Sequence, residues 1–191
     1  NKNLWIGSND QGFKTIYNYK ERFNEDNTIR SAFAGKSVKS VVSDKQDNLW
    51  VSTNLYGMFK YDMTSKTIEK IKHVHRASNP LESDTVYGSF IDRDGFLWTM
   101  EVGKVTKSSI ADGSMTPISS YNVFLPMSMS QSDDGTIWIA SASQYVSYLR
   151  PGDTEAKKLK LFEGYSFIPS VSRYNDKSML VCGFRNRMKL I

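Results

Sequence analysis

Two histidines, His73 and His75, have the spacing in this chain that most resembles a metal site. With one residue between them, both imidazoles would project from the same side of an extended strand. Zinc sites in proteins use three or four protein ligands, yet there is no third histidine and no cysteine nearby. We therefore predict that the chain binds no metal ion and needs no cofactor.

An acidic segment, Asp92-Arg93-Asp94-Gly95, begins like a calcium-binding loop. The closing glutamate of such a loop is missing. Two other segments, Asp44-Lys45-Gln46-Asp47 and Ser132-Asp133-Asp134-Gly135, stand at equivalent points of the chain. Because aspartate, serine and glycine favour tight turns, all three segments are predicted to be hairpin turns.

Residues for catalysis are sparse. Glu101 is the one carboxylate at the end of a predicted second strand, and no acid or base partner for it stands out. Glycoside hydrolysis needs two positioned carboxylates. The sequence also lacks a phosphate-binding glycine loop and a nucleophile elbow. We predict no catalytic residue, with a carbohydrate-active lyase or glycosidase as the alternative.

Side chains suited to sugars occur in several polar segments. Aromatic rings stack on sugar rings, and amides and arginines bind hydroxyl and carboxylate groups. The candidate ligand-binding residues are Asn54, Tyr56, His75, Arg76, Gln144, Tyr145, Arg185 and Asn186. The alternative interpretation is that these are ordinary solvated loop residues.

The turn segments and the candidate ligand-binding segments belong to a sequence repeat. It is clearest in Asn48-Leu49-Trp50-Val51-Ser52-Thr53 and recurs at intervals of about 40–50 residues, the period of propellers and solenoids. The four tryptophans of the chain occupy the same slot of the repeat: Trp5, Trp50, Trp98 and Trp138. Leu180 holds this slot in a fifth copy. The array spans 1–191, with units at approximately 1–35, 36–80, 81–120, 121–164 and 165–191.

Each complete unit is predicted to form four short strands separated by polar turns. Four-stranded antiparallel sheets repeated in this way are the blades of a β-propeller. We predict an all-β chain, a β-propeller fragment of about four to five blades with the first and last incomplete. No helix is predicted, and residues 28–33 are interpreted as a further strand of the first unit.

The tryptophans and a column of small residues are assigned to packing. Each tryptophan alternates onto the face of its strand that meets the neighbouring blade. The small residues lie ten positions earlier, on the first strands, where they let blades approach each other: Ser40, Gly88, Ser128 and Ser170. The candidate sugar-binding residues then fall in the loops after the second strands and between blades.

Charge is distributed unevenly. The net charge is +5, made up of +5 on residues 1–76, −5 on 77–149 and +5 on 150–191. Most basic residues are spaced singly, whereas nucleic-acid-binding proteins concentrate them on one face or motif. We therefore predict no nucleic-acid partner. An acidic ligand, such as a uronate or a sulfated sugar, agrees with the sign of the charge.

The repeat resembles a known one. Residues 44–53, followed by Gly57-Met58 and Tyr61-Asp62, are similar to the two-component regulator propeller repeat. Residues 3–8 with Gly12-Phe13 are similar as well, and 94–98 and 134–139 match in the turn and the tryptophan. The resemblance implies the ligand-sensing propeller portion of a hybrid two-component histidine kinase/response regulator, a portion that is not itself catalytic.

The resemblance also implies a setting. Such regulators of gut bacteria have periplasmic propellers, a membrane helix and a cytoplasmic kinase with receiver and DNA-binding parts, and they sense oligosaccharides. The chain is accordingly expected in the periplasm, as the sensor region of an inner-membrane protein. Incomplete blades expose edge strands, so a homodimer or edge-strand pairing is expected. A scaffold for protein contacts, with no small ligand, is a further alternative.

Overall fold

The computed structural model describes residues 26–71, 84–163, 167–184 and 187–191, together with the backbone of two short strands at 4–7 and 13–16. The chain forms two compact units, Asn1–Ser89 and Phe90–Ile191. No helix among the described residues is long and apolar enough to span a membrane.

The first unit contains a two-stranded sheet, a helix and a four-stranded sheet. Blade 1 pairs β1 (Leu4–Gly7) with β2 (Phe13–Ile16), and helix α1 (Asn27–Phe33) follows. Blade 2 has the strand order β3 (Val38–Ser43), β4 (Asn48–Thr53), β5 (Gly57–Asp62) and β6 (Thr67–Ile71), with antiparallel neighbours.

Three further blades follow along the chain. Blade 3 consists of β7 (Val86–Ile91), whose residues fall on both sides of the unit division, β8 (Leu97–Glu101), β9 (Lys104–Ser109) and β10 (Thr116–Asn122). Blade 4 consists of β11 (Pro126–Gln131), β12 (Ile137–Ser141), β13 (Tyr145–Leu149) and β14 (Lys157–Lys160). Blade 5 consists of β15 (Ser170–Asn175), β16 (Ser178–Gly183) and β17 (Arg187–Leu190).

Strands that follow each other along the chain lie side by side in every blade. Short polar turns join them, so each sheet forms from local hairpins without a crossover. The predicted all-β architecture of four-stranded antiparallel propeller blades is confirmed.

The segment before β3 corrects one prediction. Residues 28–33, interpreted as a strand, form a helix, so the expectation of a chain without helices is wrong. The β-branched Thr28 and Ile29 favour a strand, but Ile29 and Phe33 are four residues apart and share one buried helix face. Asp26 is the N-cap, since its Oδ1 accepts hydrogen bonds from the backbone N–H of Thr28 at 2.9 Å and of Ile29 at 3.3 Å.

Helix α1 docks on blade 2 through the same aspartate. Ile29 and Phe33 pack in a cluster with the apolar face of β4 and β5. The Phe33 ring meets the Phe59 ring edge to face, with centroids 5.2 Å apart. The hydroxyl of Tyr61, a residue that is 1% exposed, donates to Asp26 Oδ2 at 2.9 Å. Asp26 therefore fixes both the start of the helix and its position on the sheet.

Each tryptophan whose side chain is described is tied to the hairpin turn before it. The indole N–H donates to the first residue of the turn, six positions earlier in the chain. The pairs are Trp50 with Asp44 Oδ2 at 2.8 Å, Trp98 with Asp92 Oδ2 at 2.8 Å, and Trp138 with Ser132 Oγ at 3.0 Å. We call this arrangement the turn–tryptophan clamp.

Blade 3 shows the clamp most completely. Asp92 is 6% exposed, and its Oδ1 accepts the backbone N–H of Asp94 at 3.0 Å and of Phe96 at 2.9 Å, while its Oδ2 accepts the Trp98 indole N–H. Gly95 has a φ of 87°, a left-handed conformation that glycine adopts without strain. A buried carboxylate is tolerated because its hydrogen-bonding capacity is used.

In the second unit, the tryptophans lie between neighbouring blades. Trp98 of blade 3 is 3% exposed and packs with Ile137 and Ile139 of blade 4. Trp138 of blade 4 packs against the apolar cluster that contains Val181 of blade 5. The strand that carries a clamped indole thus supplies the apolar surface that the next blade covers.

The serines of the small-residue column join first strands directly. In the second unit, Ser128 Oγ accepts the backbone N–H of Val171 at 3.3 Å and donates to its carbonyl at 3.2 Å. In the first unit, Ser40 Oγ accepts the backbone N–H of Ser89 at 2.8 Å and lies 2.6 Å from its hydroxyl. A small hydroxyl side chain therefore lets two first strands approach and also satisfies the polar backbone there.

Replacing Asp26 with alanine is expected to lower the free energy of unfolding by about 1–2 kcal/mol, because α1 loses its cap and Tyr61 its acceptor. Burial raises the pKa of Asp26, but hydrogen bonds from Tyr61 and the backbone of Ile29 and Thr28 outweigh it and hold the pKa below its ordinary value. Stabilisation by the charged carboxylate is present above the ordinary pKa of about 3.9 and is lost as pH falls through the lowered value.

Urea unfolding of the wild type and Asp26→Ala at about pH 7 and about pH 2 measures this difference. The exposed Glu155 provides a control, since Glu155→Ala should change the stability by less than about 0.5 kcal/mol. A destabilisation by Asp26→Ala that is the same at both pH values would contradict the assignment.

Removing the aspartate of the clamp is expected to lower the free energy of unfolding more than removing a neighbouring exposed carboxylate. Asp92→Ala leaves three N–H donors of the turn without their acceptor, and the loss should be about 3 kcal/mol or more. Asp94→Ala removes an exposed carboxylate of the same turn and should cost less than about 0.5 kcal/mol. Equal unfolding midpoints in urea for the two variants would show that the clamp does not stabilise the blade.

Candidate functional site

Within each unit, the candidate sugar-binding residues that the structure describes lie at the same edge of their blades, which we call the loop edge. It consists of the turns between second and third strands and the links that lead into first strands. In the first unit it comprises 36–37, 54–56 and 84–85. In the second unit it comprises 102–103, 123–125, 142–144, 161–163, 167–169 and Phe184.

In the first unit, the turn with Asn54 is bonded to both adjacent links. Asn54 N–H donates to the Ser37 carbonyl at 2.9 Å. On the other side, the hydroxyl of Thr85 donates to Asn54 Oδ1 at 3.3 Å and accepts the backbone N–H of Leu55 at 3.1 Å. These bonds fix the carbonyl end of the Asn54 amide, so the geometry of the turn is set before any ligand arrives.

Tyr56 presents a ring at this turn. The residue is 44% exposed, and Lys36 Nζ lies 5.5 Å from its ring centroid, a cation–π distance. The same ammonium donates to the Ala32 carbonyl at the end of α1, at 2.6 Å. Leu55, beside Tyr56, is 62% exposed. The helix thus helps to position a lysine and an aromatic ring at the loop edge.

In the second unit, Gln144 and Tyr145 belong to a turn that is held by hydrogen bonds from serine hydroxyls. Ser143 Oγ accepts the backbone N–H of Tyr145 at 3.1 Å, and the hydroxyls of Ser141 and Ser143 both donate to the Tyr145 carbonyl. The Gln144 carbonyl accepts the backbone N–H of Leu161 at 3.3 Å. Both candidates are half-buried, and the Gln144 amide nitrogen lies 3.4 Å from the Tyr145 hydroxyl.

The other four candidates, His75, Arg76, Arg185 and Asn186, lie outside the described residues. The side chain of Trp5 also lies outside them, although its backbone belongs to β1. The structure brings Asn54 and Tyr56 together at one turn and Gln144 and Tyr145 at another. The assignment of all eight residues to a ligand stays a prediction.

Sequence reasoning missed three exposed apolar residues of the loop edge. Val102 is 52% exposed, Phe124 is 61% exposed and Phe184 is 53% exposed. The Phe184 ring contacts the Phe167 ring, with centroids 5.5 Å apart. For Val102 and Phe184 the available signal was an apolar residue inside an otherwise polar turn, as at Leu55 of the first unit. Phe124 stands in an apolar run, Val123 to Pro126, and gave no such signal.

The link that carries Phe124 is held at both ends. The backbone N–H of Val123 donates to the Gly103 carbonyl at 3.0 Å, and the N–H of Ala142 donates to the Leu125 carbonyl at 3.0 Å. These bonds connect the link to the turns of blades 3 and 4. Phe124 is therefore an exposed aromatic residue on a backbone that its neighbours fix.

Glu101, the candidate catalytic carboxylate, is engaged in local contacts. Its Oε1 accepts the Thr99 hydroxyl at 2.9 Å, and its Oε2 lies 3.3 Å from Lys104 Nζ. The Glu101 side chain is 14% exposed. No group of three or more histidine, cysteine, aspartate or glutamate side chains arranged for a metal ion occurs in the part of the chain that the structure describes.

A small cavity lies at the opposite edge of the second unit, beside the clamp of blade 3. Its volume is about 130 Å³, and its lining includes Trp98, Tyr121, Gln131 and Arg150. Tyr121 stacks on Trp98 with centroids 5.8 Å apart, so the indole face is covered. Ligand sites usually have volumes of about 300–1,000 Å³. This cavity is small for an oligosaccharide, which leaves the loop edge as the better candidate.

Solved structures share the fold of this chain. The extracellular domain of the hybrid two-component system BT4673 from B. thetaiotaomicron superimposes with a TM-score of 0.74 at 19% sequence identity. The match covers 98% of this chain and 24% of that one, so the chain spans about a quarter of the length of that domain. This likeness agrees with the fold that the repeat resemblance implied.

Lyases share the fold as well. Virginiamycin B lyase from Staphylococcus aureus has a TM-score of 0.71 at 13% identity, over 99% of this chain and 66% of that one. A structure of the same lyase with quinupristin contains a catalytically inactive variant in which a histidine is replaced by alanine. No protein-family model and no curated protein matches the sequence. Sequence identities this low establish a common fold and leave activity open.

Proposed function

We propose that this chain is the ligand-sensing propeller portion of an extracytoplasmic sensor region in a hybrid two-component histidine kinase/response regulator. The observation that carries the proposal is the likeness in fold to the extracellular domain of such a system over 98% of the chain. The repeat of turn, apolar residue and tryptophan supports it independently. In this proposal the chain binds and reports a ligand, performs no chemistry itself and works in the periplasm.

The proposed ligand is an oligosaccharide bound at the loop edge. In the first unit, the exposed ring of Tyr56 offers a face for a sugar ring and the amide of Asn54 offers donors for hydroxyl groups. In the second unit, Phe124 and Gln144 offer the same two kinds of group. The surrounding turns are fixed by backbone hydrogen bonds to the links on either side. A site that is ordered before binding loses little conformational entropy when the ligand arrives, which favours affinity.

Signalling then follows from the way the turns are bonded. Each described turn shares hydrogen bonds with the link into a first strand, so a ligand that moves a turn also pulls on that strand. We expect ligand occupancy to reach a kinase elsewhere in the parent protein through such blade rearrangement or through a second copy.

Tyr56 and Tyr174 provide a matched pair of tyrosines for testing the site. Both are exposed, at 44% and 62%, but Tyr56 lies at the loop edge and Tyr174 near the hairpin turn of blade 5. Tyr56→Ala should weaken oligosaccharide binding by about tenfold, which corresponds to the loss of about 1.4 kcal/mol of contact between the ring and the sugar. Tyr174→Ala should leave the affinity within about twofold. Isothermal titration of the intact protein against a panel of glycan oligosaccharides measures both.

Two outcomes of that titration would contradict the proposal. If the intact protein binds no oligosaccharide of the panel, the sensor role for saccharides is wrong. If Tyr56→Ala and Tyr174→Ala both bind the oligosaccharide as tightly as the wild type does, the ligand lies away from the turn at 54–56. Unchanged circular dichroism of both variants is the control for folding.

A lyase is the second candidate, favoured by the fold shared with virginiamycin B lyase. Among the described residues, Glu101 is the carboxylate that the sequence offered for such a role, and both of its oxygens are engaged by Lys104 and Thr99. The two histidines, His73 and His75, lie outside the described residues. Release of unsaturated or reducing ends from a saccharide by the intact protein, abolished in His73→Ala or His75→Ala, would establish an enzyme in place of a sensor.

A further inference from the structure

A groove opens where blades 4 and 5 meet at the loop edge of the second unit. Its volume is about 510 Å³, within the range of about 300–1,000 Å³ that is usual for small-molecule sites. The wall on blade 4 is formed by the end of β14 and the link after it, and the wall on blade 5 by β17. The groove adjoins the turn of Gln144 in the same unit, because the Gln144 carbonyl accepts the backbone N–H of Leu161, which lines the groove.

Three basic side chains line this groove, and one carboxylate opposes them. Lys160 lies on β14, Arg187 and Lys189 lie on β17, and Glu163 follows in the link. On β17, Arg187 and Lys189 are two positions apart, so they project from the same face of the strand. They pair in register with Gly183 and Val181 of β16. Three cations against one anion make the groove electropositive.

Local contacts position each cation. Arg187 Nη1 donates to the Glu163 carbonyl at 3.0 Å, which orients the guanidinium. Lys189 Nζ lies 5.6 Å from the centroid of the Phe162 ring, a cation–π distance. Lys160 Nζ lies 2.9 Å from Glu163 Oε2. The cations are thus held by a carbonyl, a ring and an exposed carboxylate.

The ion pair between Lys160 and Glu163 is easily exchanged. The side chain of Glu163 is 88% exposed and that of Lys160 44% exposed, and surface pairs of this kind contribute little to stability. The hydrogen bond between them lowers the pKa of Glu163 and raises that of Lys160, so both stay charged at neutral pH. An incoming carboxylate or sulfate can take the place of Glu163 on Lys160 with little loss.

A glycine shapes the floor of the groove. A Cβ atom at Gly183 would lie 2.8 Å from the Phe162 ring, closer than such contacts occur. Glycine at this position therefore lets the ring approach β16 closely, with Lys189 Nζ 5.6 Å from the ring centroid. Met188, which is 68% exposed, adds apolar surface beside the cations. Charge next to apolar surface suits a sugar ring that bears an acidic group.

We propose that this groove binds an acidic saccharide, one that carries uronate carboxylates or sulfate esters, and that it defines the ligand class of the sensor. The inference rests on the proposed function and adds a site to it. Arginine binds carboxylates and sulfates with two parallel N–H donors, and Arg187 uses one nitrogen for the Glu163 carbonyl among the described contacts. A nucleic acid fits less well, because the ring in the groove, Phe162, is covered by Lys189 and offers no stacking platform.

Titration of the intact protein with two size-matched probes tests the chemistry. Tetragalacturonate carries a carboxylate on every ring, and cellotetraose carries none. We expect tetragalacturonate to bind at low ionic strength and to weaken by several fold between about 50 and 300 mM NaCl, since screening shortens the reach of the cations. Cellotetraose should bind at least about tenfold more weakly.

Charge-matched variants locate the site. Arg187→Gln combined with Lys189→Gln removes two positive charges from the groove and should weaken tetragalacturonate binding by about tenfold or more. Lys45→Gln combined with Lys177→Gln removes two charges from exposed hairpin turns and should change it by less than about twofold. Urea midpoints of the two double variants should agree with that of the wild type, which separates lost binding from lost folding.

Several results would overturn the proposal and leave the sensor role intact. The groove is not the site if tetragalacturonate binds both double variants as it binds the wild type. An acidic ligand is wrong if cellotetraose binds as tightly as tetragalacturonate, or if only a neutral member of the oligosaccharide panel binds. A short oligodeoxyadenylate that binds more tightly than tetragalacturonate would identify the groove as a nucleic-acid site.

Discussion

The hydrogen bond between the tryptophan and the first residue of its own turn is the contact on which blades 2, 3 and 4 depend. Asp92 satisfies two backbone N–H groups of the turn and the Trp98 indole with one buried carboxylate. In blade 4, Ser132 takes this place, and Asp134 accepts both the Ser132 hydroxyl and the Thr136 N–H, which hold the pKa of Asp134 below its ordinary value. One contact therefore closes a hairpin and aims a large apolar side chain at the next blade.

Because the clamp and the serine bridges fix the hairpins and first strands, variation is concentrated at the loop edge. There, the turns at 54–56 and 142–144 share hydrogen bonds with the links on both sides, and those at 102–103 and Phe184 with one link, so even short loops keep a defined geometry. The side chains at these positions change from blade to blade, from Tyr56 to Val102, Gln144 and Phe184. Blades of one repeated design that differ at their loops resemble the rigid scaffolds whose loops usually carry binding residues.

The basic groove shows how strand geometry brings basic residues that are scattered in the sequence onto one surface. Residues 150–191 carry nine basic and four acidic groups, and in the sequence the basic groups appear as scattered single charges. Alternation along β17 places Arg187 and Lys189 on one face, and the packing of blade 5 on blade 4 sets that face opposite Lys160. Scattered charges thereby become one electropositive site, which gives the proposed sensor a reason to prefer acidic sugars.

The sequence by itself determined the repeat, the blades, the hairpin turns and the position of the tryptophans, because each depends on residues within about ten positions of one another. The sequence-based prediction failed at α1, where β-branched residues suggested a strand. The segment forms a helix because Asp26 caps it and Phe33 packs on Phe59. The same prediction placed Asn54 and Tyr56 correctly in a turn, but gave no way to see the exposure of Phe124 or the groove at Arg187. Only the tertiary structure decided those, because exposure and the meeting of distant cations depend on which faces pack together, and packing joins residues far apart in the chain.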